Sequence, residues 1–261
     1  IINSFFKINN LGNLGGGEFT GFDNFRRMAG DPTIQIALKN TLMIMLSAII
    51  FQVGLALVLA LMVDSIARGS QFYRTVFFFP IVVSATAIGL MFNLFYAYNG
   101  GLFNQIMQIT GRDPVLWLSD EKALMMVCIP IIWQYVGFYF IIILTGLNEI
   151  PEDIFEYAYM DGVTGLKKIW YISLPLIFDV IKVCLILSIT GALKVFDLPW
   201  VIAPNGAPKG ITHFLGTYMY QMTFISQNVG YGAAISVLIV VLGLLVSLIV
   251  NKLFKHETIV Y

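Results

Sequence analysis

Charge is scarce in this chain. Of its 261 residues only 11% are charged, and the 15 lysines and arginines are matched by 15 aspartates and glutamates, so the net charge is zero. Soluble domains carry about a quarter charged residues, so the shortage argues against an ordinary water-exposed surface. The even balance also excludes a basic face for nucleic acid and a charged tail. Cysteine and histidine are equally thin, at two each. Cys128 and Cys184 both fall inside apolar runs, which makes them small core residues and not a disulfide framework. His213 and His256 are far apart and lack cysteine or acidic neighbours at ligand spacing, so no metal site is expected. A phosphate cradle is missing too. Gly15-Gly16-Gly17 is not followed by Gly-Lys-Ser/Thr, and no such run occurs elsewhere, so no nucleotide site and no catalytic residue are assigned to this chain.

Apolar residues fill the space that charge leaves: 58% of the chain is hydrophobic and the mean hydropathy is +0.83. A bilayer core about 30 Å thick takes about 20 apolar residues, each adding about 1.5 Å of helix. Five stretches reach that length, at about 41–63, 75–97, 123–147, 174–200 and 231–250. Four are free of charge. The stretch 174–200 is weaker, because Asp179, Lys182 and Lys194 interrupt it and its uncharged centre runs only over 183–193. The runs are continuously apolar and do not alternate, which reads as helices and not as barrel strands. The opening Ile1-Ile2-Asn3-Ser4-Phe5-Phe6 looks like the tail of an earlier hydrophobic run. The expected fold is therefore an all-α membrane bundle of six spans, the first missing from this sequence. Nothing at the start reads as a cleavable signal peptide. Residues 1–40 form a lead-in, 41–252 the transmembrane domain and 253–261 a tail.

Loop charges leave the orientation open. Placing 64–74 inside puts Arg68, Arg74, Lys167, Lys168, Lys252 and Lys255 on one side, six in all. The opposite loops hold Arg112, Lys122 and Lys209, and Lys7, Arg26, Arg27 and Lys39 raise that count to seven. Segments 98–122 and 204–228 carry turn signals, whereas 148–173 reads as two short helices. Pro151 with Glu152 and Asp153 suits a first helical turn, and Gly162 and Gly165 end that helix. A second amphipathic stretch follows, and Pro175 is expected to open the next span. Lys194 and Asp197, three apart, are expected on one helix face as a structural pair, and Asp179 and Lys182 likewise.

Glu156-Tyr157-Ala158, three residues, Gly162, nine residues and Ile172-Ser173-Leu174-Pro175 resemble the EAA loop of ABC importer permeases. The only departure is Tyr157, where the family usually has alanine. Gly21-Phe22-Asp23-Asn24-Phe25, Asn148-Glu149-Ile150-Pro151-Glu152, Met160-Asp161-Gly162 and Phe196-Asp197 resemble the carbohydrate branch of these permeases. So does Asn205-Gly206-Ala207-Pro208, which is similar to a G-G-P loop. That branch takes in maltose, multiple-sugar and glycerol-phosphate importers. The resemblance implies a type I importer permease in a bacterial inner membrane, with residues 148–173 cytoplasmic and residues 1–40 extracytoplasmic. It also implies a second permease subunit, commonly a different one, two ATPase subunits holding ATP and magnesium, and an extracytoplasmic sugar-binding protein.

A short stiff helix docked on an ATPase passes displacement to the membrane better than a flexible loop. Glu156, Ala158, Asp161 and Gly162 are the coupling candidates. Glu156 would pair with a basic residue on the ATPase, and Gly162 would turn where a side chain clashes. For the substrate path, Trp133, Gln134, Tyr135 and Phe138 fall mid-span, where polarity is costly and aromatic faces suit sugar C–H surfaces. The resemblance places Gln134, Tyr135, Phe138 and Ser188 at contact positions, and Asn93 is a weaker candidate. The same residues would also serve as helix-packing groups, with Gln134 bonded to a neighbouring helix. The rival function is an ion-coupled secondary transporter subunit, which rests only on the charges in 174–200.

Overall fold

The computed structural model describes residues 1–13, 15–65 and 69–253. Arg68, Lys255, His256 and the tail beyond 253 lie outside the described residues. Strand among the described residues is limited to one antiparallel pair, β1 (Phe6–Lys7) with β2 (Glu18–Phe19). A short amphipathic helix, α1 (Asp23–Gly30), follows. Among the described residues three helices are long and apolar enough to cross a membrane: α2 (Pro32–Asp64), α6 (Ala123–Asn148) and α12 (Val229–Leu253, apolar through Val250). Two bent pairs bring the number to as many as five: α3 (Ser70–Val82) with α4 (Ala85–Tyr96), and α8 (Leu166–Leu176) with α9 (Phe178–Leu193) and α10 (Asp197–Ile202).

Helix α2 starts nine residues before the expected span. Asp31 accepts the Thr33 N–H at 2.8 Å and Pro32 follows, which together make a strong helix start. The added turns are amphipathic, with Ile34 and Ala37 buried and Gln35 and Lys39 exposed, so continuous hydropathy does not reveal them. A π-helical stretch over Ala48–Gly54 loosens the middle of this helix.

The stretch 75–97 is broken where one span was expected. Val83 turns extended, at φ −77° and ψ 136°, and Ser84 caps α4 by accepting the Ala87 N–H at 3.2 Å. Pro80, inside α3, has already removed one helical donor. Pro175 does not open a span either. It sits near the end of α8, and the break comes two residues later at Ile177. Lys194 and Asp197 do not share a helix face, because α9 ends at Leu193 and Phe196 leaves helical geometry at φ −145°. Neither that pair nor Asp179 with Lys182 forms an ion pair among the described residues.

The chain divides into two compact units. The first comprises Ile1–Met45, Ser84–Ile131 and Thr190–Val246. Its core gathers Ile34, Ala37, Leu215, Tyr218, Tyr231 and Ile235 from α2, α11 (Leu215–Tyr220, continued by a π turn over Gln221–Ile225) and α12. The second comprises Leu46–Val83, Ile132–Ile189 and the stretch from Ser247. Its core is built from Ala56 and Ala60 of α2, Phe140 and Leu144 of α6, Ile177 and Cys184. Lipid is as apolar as these side chains, so contact area drives helices together only weakly and close fit decides. Gly137 shows this: a Cβ there would collide with the Phe77 carbonyl oxygen of α3. A Cβ on Gly146 would meet Val180 of α9 at 2.8 Å.

Candidate coupling loop and translocation path

The coupling candidates occupy α7 (Glu152–Met160) and the turn after it. Pro151 precedes the first turn at ψ 138°, and Glu152 and Asp153 sit at the positive end of the helix dipole. The helix closes with paired bonds, Gly162 N–H to Tyr159 C=O at 3.0 Å and Val163 N–H to Ala158 C=O at 2.8 Å. This terminus needs a left-handed residue, and Gly162 supplies it at φ +73°. The expected clash is absent, since a Cβ on Gly162 would touch nothing within 4 Å. Its backbone conformation, not crowding, calls for glycine.

Ala158 of α7 is buried, at 8% exposure, and Ile154 and Phe155 pack half-buried against the core of the second unit, whereas Glu156 and Asp161 face outward. Glu156 has no ion-pair partner among the described residues. Tyr157, the departure from the family pattern, is 64% exposed, so its bulk displaces nothing. Tyr159, Met160, Trp170 and Tyr171 are more exposed still. Lys168 of α8 lies 3.8 Å above the Phe155 ring and fastens α7 to the helix that follows. The loop is a stiff element with an open aromatic and acidic surface.

The substrate-path candidates separate into two groups. Trp133 and Tyr135 of α6 stand 41% and 39% exposed, and Phe138 is half-buried with its ring against Tyr139. Gln134, Ser188 and Asn93 instead spend their polar groups on backbone. The Gln134 amide donates to the Val83 carbonyl at 3.3 Å, and Ser188 donates to Leu185 within its own helix at 3.0 Å. Asn93 donates at 2.9 Å to Val201, a carbonyl near the end of α10 that lacks a helical partner. Asn93 belongs to the first unit and the other candidates to the second. In the first unit it works with Gly89 one turn away, where a Cβ would meet Val201 at 2.7 Å.

Three polar hubs, of which Asn104 and His213 are buried and Asp31 partly so, left little trace in the sequence. Asn104 of α5 (Leu102–Ile109) donates to Tyr98 and Val115 and accepts from Val115 N–H and Trp117 Nε1, which organises the loop that follows. Asp31 accepts from Tyr218 at 2.7 Å and Tyr231 at 2.6 Å. Burial pushes its carboxyl up, but bonds from Tyr231, Tyr218 and Thr33 outweigh that and hold it below the ordinary aspartate value. His213 lies 2% exposed, 3.3 Å from the Thr217 hydroxyl. Burial lowers its pKa to about 4, against the opposing pull of Gln221 and the Asn205 backbone. Only the Asp31-Pro32 pair left a sequence signal, as a helix start. Among the described residues no three His, Cys, Asp or Glu side chains gather as a metal site would need.

Comparison with known proteins agrees with this architecture. The family model described as binding-protein-dependent transport system inner membrane component matches residues 67–257. The probable ABC transporter permease protein YurN of Bacillus subtilis is 31% identical over 91% of this chain and 82% of its own length. The arabinooligosaccharides transport system permease protein AraP of the same organism is 30% identical over 92% and 78%. A membrane chain in the crystal structure of a bacterial alginate ABC transporter, solved with its alginate pentasaccharide-bound periplasmic protein, shares the fold. It aligns at a TM-score of 0.83 and 23% identity, over 91% of this chain and 84% of that one. The resemblance read from the EAA loop is borne out, and with it the reading of a multi-pass membrane subunit that hydrolyses no ATP itself. The chain belongs to the family of binding-protein-dependent transport system inner membrane components.

Proposed function

We propose that this chain is the permease subunit of an ATP-driven importer of sugars or oligosaccharides in a bacterial inner membrane. The observation that carries the coupling half is α7: a capped helix with Glu156 outward, Ala158 inward and a left-handed Gly162 closing it. Glu156 and Asp161 then meet basic residues of a cytoplasmic ATPase, where ATP and magnesium bind, and the exposed Tyr159, Met160 and Trp170 fill an apolar groove there. The carbohydrate half is supported by relatives named for arabinooligosaccharides, diacetylchitobiose, multiple sugars and lactose. Two such permeases, of different sequence, enclose the path, two ATPases power it, and a sugar-binding protein delivers substrate from outside.

Along α6, Trp133, Tyr135 and Phe138 present ring surface to the sugar, while Gln134 fastens α6 to the end of α3 and Ser188 bonds within α9. The test is uptake into vesicles containing the whole complex, with and without ATP and in the presence of ionophores. Uptake of at least one sugar that needs ATP and ignores ionophores is the expected result. Ionophore-sensitive uptake without ATP would overturn the reading in favour of an ion-coupled transporter.

A further inference from the structure

Helix α5 divides its eight residues among three surroundings. Successive helical residues turn by about 100°, which places Leu102, Ile106 and Ile109 within about 60° of one another. Phe103, Asn104 and Met107 form the face turned into the protein, Asn104 buried and the other two half-buried. Gln105 and Gln108 lie between those two faces and are exposed. The apolar stripe is exposed as well, Ile106 at 51% and Ile109 at 85%. A helix with water on its whole outer side gains nothing from an apolar stripe beside a polar one, whereas a helix lying where lipid meets water needs both.

The depth of α5 is fixed inside its own unit. The Tyr96 hydroxyl, at the end of α4, donates to the Met126 carbonyl in the first turn of α6 at 2.8 Å. The end of α4 is therefore level with the start of a helix long and apolar enough to cross a membrane. The Phe103 ring of α5 lies 5.6 Å from Tyr96, 5.7 Å from Phe95 and 5.6 Å from Trp117, which sets α5 at that same level. Exposed apolar side chains reach the level on both neighbours, Leu90 and Leu94 on α4 and Met125 and Ile129 on α6. Tyr96, Tyr98 and Trp117 gather there, and tyrosine and tryptophan are the residues that collect at the edge of the hydrocarbon. Exposed charge follows on the connecting chain, at Arg112 and Asp113 and again over Asp120-Glu121-Lys122.

We propose that α5 is an interfacial anchor whose Leu102–Ile106–Ile109 stripe rests in membrane lipid, with Gln105 and Gln108 toward headgroups and water. Lipid is the occupant because the helices to which α5 is fastened expose apolar side chains at the same level, and the bilayer that covers those reaches the stripe. The anchor sets the height of the 98–122 connection. Asn104 ties the returning chain to α5 at Val115 and Trp117, and the Lys209–Asp120 ion pair joins the turn around Lys209 to the same connection. The inference needs only that the chain crosses a membrane, and holds whatever the cargo.

The test puts nitroxide spin labels on Ile106→Cys, Ile109→Cys and Gln108→Cys in the complete transporter, in vesicles of phosphatidylethanolamine and phosphatidylglycerol. Cys128 and Cys184 are buried, so unsubstituted protein labelled in parallel supplies the blank. Oxygen concentrates in lipid and a nickel chelate in water, and a label covered by protein meets neither. With the stripe about 5–10 Å into the headgroup–acyl boundary, the ratio of oxygen to nickel collisions at positions 106 and 109 should exceed that at 108 at least about threefold. Leu94→Cys is the lipid reference. Nickel-accessible labels at 106 and 109 put the stripe in water and overturn the anchor. Labels shielded from both reagents, at rest or once binding protein is added, put protein on the stripe and overturn it too. A label at position 94 that reads as water removes the depth assigned to the end of α4, and the anchor with it. If the label at 106 lowers the melting temperature, position 109, the more exposed of the two, decides alone.

Discussion

The side-chain amide of Gln134 donates to the backbone carbonyl of Val83, 3.3 Å away, at the point where helix α3 ends. A carbonyl at a helix terminus has no helical partner, and lipid offers none, so the amide meets a need created by the break itself. Gln134 is 5% exposed in that position. Gln134→Leu should therefore destabilise the purified complex by about 1–3 kcal/mol while leaving the ranking of competing sugars unchanged. Tyr135→Ala and Phe138→Ala should do the reverse, shifting the ranking with little loss of stability. Melting curves run beside uptake competition separate the two behaviours. A changed ranking in Gln134→Leu at unchanged stability would show that its amide reaches substrate.

Gly162 invites a graded series, because its neighbourhood is open and only its φ of +73° is demanding. Asparagine visits the left-handed region readily, alanine at a cost of about 1–2 kcal/mol, and β-branched residues at still greater strain. Substrate-stimulated ATP hydrolysis should therefore fall in the order Gly162→Asn, Gly162→Ala, Gly162→Val. Membrane insertion and the melting temperature of the bundle should hardly move. Glu156→Lys should impair stimulation as well, by reversing the charge offered to the ATPase. A series that follows side-chain volume and not left-handed tolerance would contradict the terminus geometry assigned here.

Legibility in the sequence followed the kind of force involved. Long helices such as α6 and α12 are written as unbroken apolar runs, because the bilayer demands it residue by residue. The EAA spacing was legible too, since it combines a helix start, an inward alanine and a left-handed terminus within twenty positions. The break at Val83 was not. Ser84 and Pro80 lie within an apolar run, and hydropathy cannot tell a capping serine from a buried one. The roles of Asn93 and Gln134 depend on carbonyls 108 and 51 residues away in sequence, and no local pattern encodes such a distance. The extension of α2 back to Pro32 was marked by Asp31-Pro32, but a search for continuous hydropathy passes over amphipathic turns.

Close packing inside the second unit hinges on Gly137. Helix α6 meets α3 there with no room for a side-chain carbon beside the Phe77 carbonyl. The obstacle is backbone and cannot swing aside, so even Gly137→Ala should push the helices apart. A cost of at least about 1–3 kcal/mol is expected, as for overpacked cores. Gly191 is the control, since a Cβ there has nothing within 4 Å. Gly191→Ala should leave the melting temperature of the solubilised complex unchanged or slightly raised, whereas Gly137→Ala should lower it by several degrees. Equal melting temperatures for the two variants would disprove the close approach.

His213 should make stability depend on pH between about 6.5, the ordinary value, and about 4, its value in the fold. Burial disfavours the charged ring, so the folded protein keeps it neutral at pH values where the unfolded chain takes up a proton. With the folded pKa depressed, its contribution is present above about 6.5 and is lost progressively as pH falls toward about 4. Asp31 shifts in the same direction from a lower starting value, so its loss of stability begins only below the ordinary aspartate range. The two therefore separate on the pH axis. The His213 ring packs on Gly206, whose Cβ would collide with it, and Asn40 fixes the backbone by donating to the His213 carbonyl at 2.9 Å. A charged ring would have to be accommodated within that packing. Melting temperatures of the wild-type complex should fall between pH 7.5 and pH 5.0. His213→Phe, which keeps a ring but cannot titrate, should start lower through the lost Thr217 contact and show a flatter pH dependence across that interval. If the variant follows the wild-type slope, some other group carries the titration and His213 is not what makes the fold acid-sensitive.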